Sequence, residues 1–211
     1  MPKRTHESFN FYSHLTGVIA AIVGTAYLIY TVRLSVAHVA LSIVYGFSVI
    51  LLFSASATYH ALKQNEEEIS IWRKLDHIAI FFMIAGTYTP ICYVYLSGYW
   101  KWSIITIQWM LVIAGLFLKF FYLKAPRYLS TFIYLFMGWI GIIPIKMLLT
   151  TMPRIAVFYL FAGGLSFTVG AILYAVKKPV FRSGFGFYEI FHLFILLGGL
   201  FHYLLVYVAL A

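Results

Sequence analysis

Long apolar runs separated by short basic joins dominate this chain. Seven mostly hydrophobic stretches fall at roughly 14–32, 38–61, 76–96, 103–122, 129–149, 155–176 and 188–210. A helix needs about 20 such residues to cross the hydrocarbon core of a bilayer. The joins, such as Lys63–Lys74 and Lys177–Arg182, are brief and polar. The strand-like alternation of an outer-membrane barrel is absent, and the runs are too long for barrel strands. The pattern predicts an all-α integral membrane protein, a single seven-transmembrane-helix bundle occupying residues 1–211. Pro144 predicts a kink in the fifth span, and Gly163-Gly164 and Gly198-Gly199 predict close helix contacts.

Composition sharpens this picture. Of 211 residues, 63% are hydrophobic and 10% charged, whereas a soluble domain carries about 25% charged residues. Cys92 is the sole cysteine, which excludes an internal disulfide and reads as small packing. The net charge of +9 does not point to nucleic acid, because the basic residues form neither stripe nor tract. Anionic headgroups account for them, so membrane lipids are the expected partners. No oligomeric state can be read from the chain.

Loop charge sets the expected orientation. One set of connections holds Lys3, Arg4, Lys63, Arg73, Lys74, Lys119, Lys124, Arg127, Lys177, Lys178 and Arg182. The other holds only Arg33, Lys101, Lys146 and Arg154. The positive-inside rule then places the N-terminus in the cytoplasm and the C-terminus outside, in the cell membrane, with Tyr99, Trp100 and Trp102 in an outer aromatic belt. The basic start, Met1-Pro-Lys-Arg, opens an uncleaved first span, because the apolar run that follows exceeds the 7–15 residues of a signal sequence.

This orientation brings His60, Asp76 and His192 to one depth from three separate spans. Ser56 lies one turn before His60 and shares its face. Tyr188 and Glu189 fall within about a turn of His192, and His14 lies on the same side. Such groups are costly to bury unpaired. Two imidazoles and a carboxylate suit Zn²⁺, which in catalytic sites takes three protein ligands plus water and lowers the pKa of that water towards about 7. Singly, each residue also reads as an interfacial hydrogen-bonding group, and Asp76 as a helix cap or a partner of Arg73 or Lys74. Their convergence favours a site. Glu7 and Asn10 share a face with His14 and read either as braces for the site or as caps. His38 reads as an interfacial anchor and Glu66–Glu68 as a solvated loop face. His77 points about 100° away from Asp76 on a helix, so it is not counted as a ligand.

The ordered motifs resemble those of the bacterial hemolysin III proteins, relatives of the progestin and adipoQ receptors and of a superfamily of membrane hydrolases that includes alkaline ceramidases. They are Glu7-x-x-Asn10-x-x-Ser13-His14-x-x-Gly17, Ser56-Ala-Thr-Tyr-His60, Asp76-His77 with Gly86-Thr-Tyr-Thr-Pro90, and Glu189-Ile-Phe-His192 with Gly198 and His202. The resemblance implies a zinc held by histidines matching His60 and a pair four apart on the last span. It also implies an aspartate matching Asp76 that holds the zinc-bound water, and a serine matching Ser56 close by. Here the first of the last-span pair falls on Tyr188, whose phenol ordinarily titrates near about 10 and is a poor ligand at neutral pH.

Direct ligation by Asp76, recruitment of Glu189, or a second water would each repair the set, and absence of metal is the remaining reading. His202 lies roughly 15 Å further along its helix and is a poor substitute; it reads as making an interhelical hydrogen bond. The expected ligands are His60, His192 and Asp76, with Asp76 and Ser56 in catalytic roles, Glu189 and Tyr188 as possible replacement ligands, and Glu7, Asn10 and His14 in support. The expected function is a zinc-dependent lipid hydrolase, possibly acting on an amide bond, near the cytoplasmic leaflet. A receptor-like or membrane-perturbing protein is the alternative. No serine-hydrolase elbow, polar channel stripe or inverted repeat favours other classes.

Overall fold

A computed structural model of the protein describes residues 4–63, 70–121, 127–179 and 185–211. The helices are α1 (Arg4–Thr31), α2 (Val36–Leu62), α3 (Ile71–Tyr95), α4 (Gly98–Phe121), α5 (Arg127–Trp139), α6 (Ile145–Thr151), α7 (Arg154–Val176) and α8 (Phe187–Leu210). No β-strand occurs among the described residues. Six helices are long and apolar enough to cross a membrane, and seven spans result if α5 and α6, bent by 58° at their break, are counted as one. Glu66–Glu68 and the basic residues Lys3, Lys124 and Arg182 lie outside the described residues.

The break between α5 and α6 follows from Pro144, as the sequence predicts. A proline ring clashes with the carbonyl four residues earlier, which here belongs to Ile140. A 3₁₀ turn begins at that residue (Ile140–Ile142), and the Ile143 N–H closes onto the Ile140 carbonyl at 3.0 Å instead. The Tyr88 hydroxyl repairs the opened backbone. It donates to the Gly138 carbonyl at 2.7 Å and accepts from the Gly141 N–H at 2.8 Å. Inside a bilayer such groups need protein partners, because lipid supplies none.

Three helix starts precede the hydrophobic pattern by more than a turn, α4 among them at Gly98 rather than 103. α1 begins at Arg4, about three turns before the apolar run, because polar residues from Glu7 onward already pack inward. Glu7 and Asn10 are therefore inside a helix rather than capping one. α3 begins at Ile71, where the Ser70 hydroxyl accepts the Arg73 N–H at 3.3 Å. Ser70 is the cap, which removes that role from Asp76.

α1, α2, α3 and α4 pack in sequence, α7 packs along α8, and α8 also meets α1 and α3. Small residues permit the closest approaches: a Cβ on Gly198 would meet the Phe167 ring at 2.8 Å. Core side chains include Leu28, Tyr45, Phe81, Ile104 and Leu205, while Val23, Phe47, Phe117 and Phe161 face outward, as lipid-facing positions should. His38 ties the start of α2 to the end of α8, with its Nδ1 2.9 Å from the Leu210 carbonyl.

Candidate metal centre

Two histidines meet at the centre of the site. His60, from the last turn of α2, and His192, from the second turn of α8, place their Nε2 atoms 3.0 Å apart. Both rings are buried, at 3% and 1% exposure. Of the three residues expected to converge, the two histidines meet directly, through their Nε2 atoms.

The other ring nitrogens show what these two carry. His192 Nδ1 lies 2.8 Å from the Tyr188 carbonyl, which can only accept, so Nδ1 bears the proton. His60 Nδ1 lies 2.6 Å from a carboxylate oxygen of Glu7, and the Lys63 ammonium donates to the other oxygen at 2.5 Å. That lysine favours an ionised carboxylate, and an ionised carboxylate calls for a proton on His60 Nδ1. In their neutral forms both Nε2 atoms therefore present lone pairs to each other. Such an arrangement is repulsive unless a proton or a metal cation lies between. Two imidazole nitrogens on a tetrahedral zinc stand roughly 3.3 Å apart, so the pair fits that ion. Carboxylate and carbonyl acceptors behind metal-binding histidines are the usual way their tautomer is fixed.

The remaining residues are less closely gathered. Among the described residues no three His, Cys, Asp or Glu side chains form a ready metal cage. Asp76 lines the same cavity as the histidine pair and has His77 Nδ1 at 3.4 Å. Ser56 is buried on the cavity wall. Glu189 uses a carboxylate oxygen to accept the Gly186 N–H at 2.7 Å, capping α8. Tyr188 packs its ring against both histidines, 5.6 Å from His60 and 5.1 Å from His192 between centroids. The Lys63 ammonium lies 5.6 Å from the same ring. His202 is tucked against Gly163 and Phe167 at the far end of the cavity.

The chain matches the model of the haemolysin-III-related family over residues 3–203. It belongs to that family. It is 36% identical over 155 residues to the hemolysin-3 homolog of Bacillus subtilis (strain 168), covering 74% of this chain and 70% of that protein. It is 37% identical, again over 155 residues, to hemolysin-3 of Bacillus cereus, covering 74% and 68%. A more distant relation, 26% identity over 224 aligned positions, joins it to the adiponectin receptor protein of Drosophila melanogaster, covering 95% of this chain and 50% of that one. This haemolysin-III-related protein is thus a multi-pass membrane protein related to adiponectin receptors.

Beside the histidine pair lies a cavity of about 180 Å³. Its walls are mainly apolar, including Ile80, Met83, Phe167 and Ile195. Its second polar feature was not foreseen. Lys119, which loop charge alone places against headgroups, is buried at 2% exposure and donates to the Ser130 hydroxyl at 2.6 Å. It lines this haemolysin-III cavity together with Arg73. No pattern in the sequence distinguishes Lys119 from the other basic residues at span ends.

Proposed function

We propose that the protein is a zinc-dependent hydrolase of a membrane lipid. The observation that carries this reading is the 3.0 Å approach of the His60 and His192 Nε2 atoms, with each Nδ1 set against an acceptor that favours a proton there. His60 and His192 would hold the metal, and Glu7 fixes and polarises the His60 ring. Zinc held there would polarise a carbonyl oxygen and acidify water near neutral pH. Asp76, on the same cavity wall, accepts a proton from the attacking water as the C–O bond forms and returns it to the departing amine nitrogen as the C–N bond breaks. Ser56 donates a hydrogen bond to the developing oxyanion.

The cavity supports a lipid substrate, since its apolar walls take an acyl chain while its polar end meets the histidines. The excess of basic residues at this end supports, under the positive-inside rule, a site near the cytoplasmic leaflet of the cell membrane. An amide bond is the proposed point of cleavage, by analogy with ceramidase-like hydrolases.

Membrane perturbation is the second reading, and the names of the Bacillus relatives favour it. It leaves the buried histidine pair and its carboxylate support without a purpose. Lipid turnover by purified protein separates the two. Release of fatty acid from an N-acyl lipid, lost on Asp76→Asn, supports hydrolysis. Lysis of vesicles that is unaffected by Asp76→Asn, with no lipid turnover, overturns it.

A further inference from the structure

This chain carries tyrosine at 188, where the resemblance implies a ligand histidine, and this leaves the pair one imidazole short. We propose that His14 of α1 supplies the third metal ligand, replacing the residue lost at 188. This rests on the zinc reading above.

His14 is 2% exposed and lines the same cavity. Its ring lies 4.3 Å from that of His192, centroid to centroid, closer than the His192 and His60 rings are to each other at 4.8 Å. Both of its ring nitrogens are buried and lack a hydrogen-bond partner among the described residues. A buried imidazole with neither nitrogen satisfied is costly, and such orphans mark places where an ion or water belongs. A merely structural histidine would bond at least one nitrogen, as His38 and His77 do.

The same helix already serves the site. Glu7, about two turns earlier, holds His60, so α1 is fixed in register against the pair. Asn10 lies one turn before His14 on the same face, fully buried, with both side-chain polar atoms also unpaired. When one His14 nitrogen binds metal the other carries a proton, and the Asn10 carboxamide oxygen is the neighbouring acceptor for it. His14 already rests on the His192 ring.

Tyr188 gives the proposal its internal control. Its ring touches both histidines, so a histidine introduced there stands where it can replace His14. The full chain, purified in detergent, is loaded with Zn²⁺ or Co²⁺ and titrated against a chelator. Wild type is expected to hold one metal per chain. His14→Ala is expected to weaken retention more than about 100-fold, beyond the 10–100-fold cost of losing a supporting residue. Tyr188→His in the His14→Ala background is expected to restore it.

His14→Cys keeps a ligand and guards against misfolding of the alanine variant. Its cobalt form is expected to show a near-ultraviolet thiolate-to-cobalt band. Wild type that binds no metal overturns the zinc reading and this proposal with it. Wild type that binds metal, with His14→Ala unchanged in affinity or His14→Cys lacking the thiolate band, overturns the role of His14 alone.

Discussion

Glu7 and His60 lie 53 residues apart in sequence and meet through a 2.6 Å hydrogen bond between a carboxylate oxygen and Nδ1. The contact ties α1 to α2 and turns Nε2 of His60 towards His192. Glu7→Gln removes the charge while keeping the shape, and its amide oxygen remains a weaker acceptor. Metal retention is expected to fall about 10–100-fold, the usual cost of losing an acceptor behind a metal-binding histidine. Chelator competition on the two proteins measures it. Equal curves would show that the carboxylate serves only to bind Lys63.

Tyr188→His alone is expected to tighten metal retention, because it adds an imidazole within reach of the pair. With histidine there the segment reads H-E-x-x-H, a zinc-binding helix spacing. The same competition assay checks this, and an unshifted midpoint would mean that position 188 does not address the metal.

Asp76→Asn is expected to lower lipid turnover by about 10²–10⁴, the range for loss of a general base, while metal content stays at the wild-type value. Turnover and elemental analysis on the same preparation separate the two effects. Loss of metal along with turnover would make Asp76 a ligand instead.

Gly198 and Gly164 predict opposite responses to the same methyl group. A Cβ at 198 meets the Phe167 ring at 2.8 Å, whereas one at 164 has nothing within 4 Å. Gly198→Ala is expected to cost about 1–3 kcal/mol through overpacking, and Gly164→Ala to be neutral or slightly stabilising through helix propensity. Thermal unfolding midpoints in detergent give the comparison. Equal midpoints would contradict the packing of α7 on α8.

The spans were legible because hydrophobic length alone defines them, and Pro144 announced its own break. The start of α1 was not, since Glu7 and Asn10 are polar and their burial depends on what α1 packs against. The meeting of His60 with His192 followed from counting loop charges, which placed both at one end of the bundle. Helix periodicity left a bracing role for Glu7 as one of two open readings, and that it acts on His60 depends on how α1 packs on α2. Other roles depend on tertiary geometry. Glu189 turns to the Gly186 N–H because α8 starts there, and His14 lies on His192 because of how α1 packs on α8. The burial of Lys119 against Ser130 depends on how α4 meets α5, which no spacing in either segment encodes.

The metal content of the purified chain tests the central claim most directly. Elemental analysis is expected to find close to one zinc per chain in wild type, lost on His60→Ala and on His192→Ala. Wild-type protein that carries no metal, and takes up none from excess Zn²⁺, would contradict the account. The 3.0 Å His60–His192 contact would then be an ordinary hydrogen bond sharing a single proton.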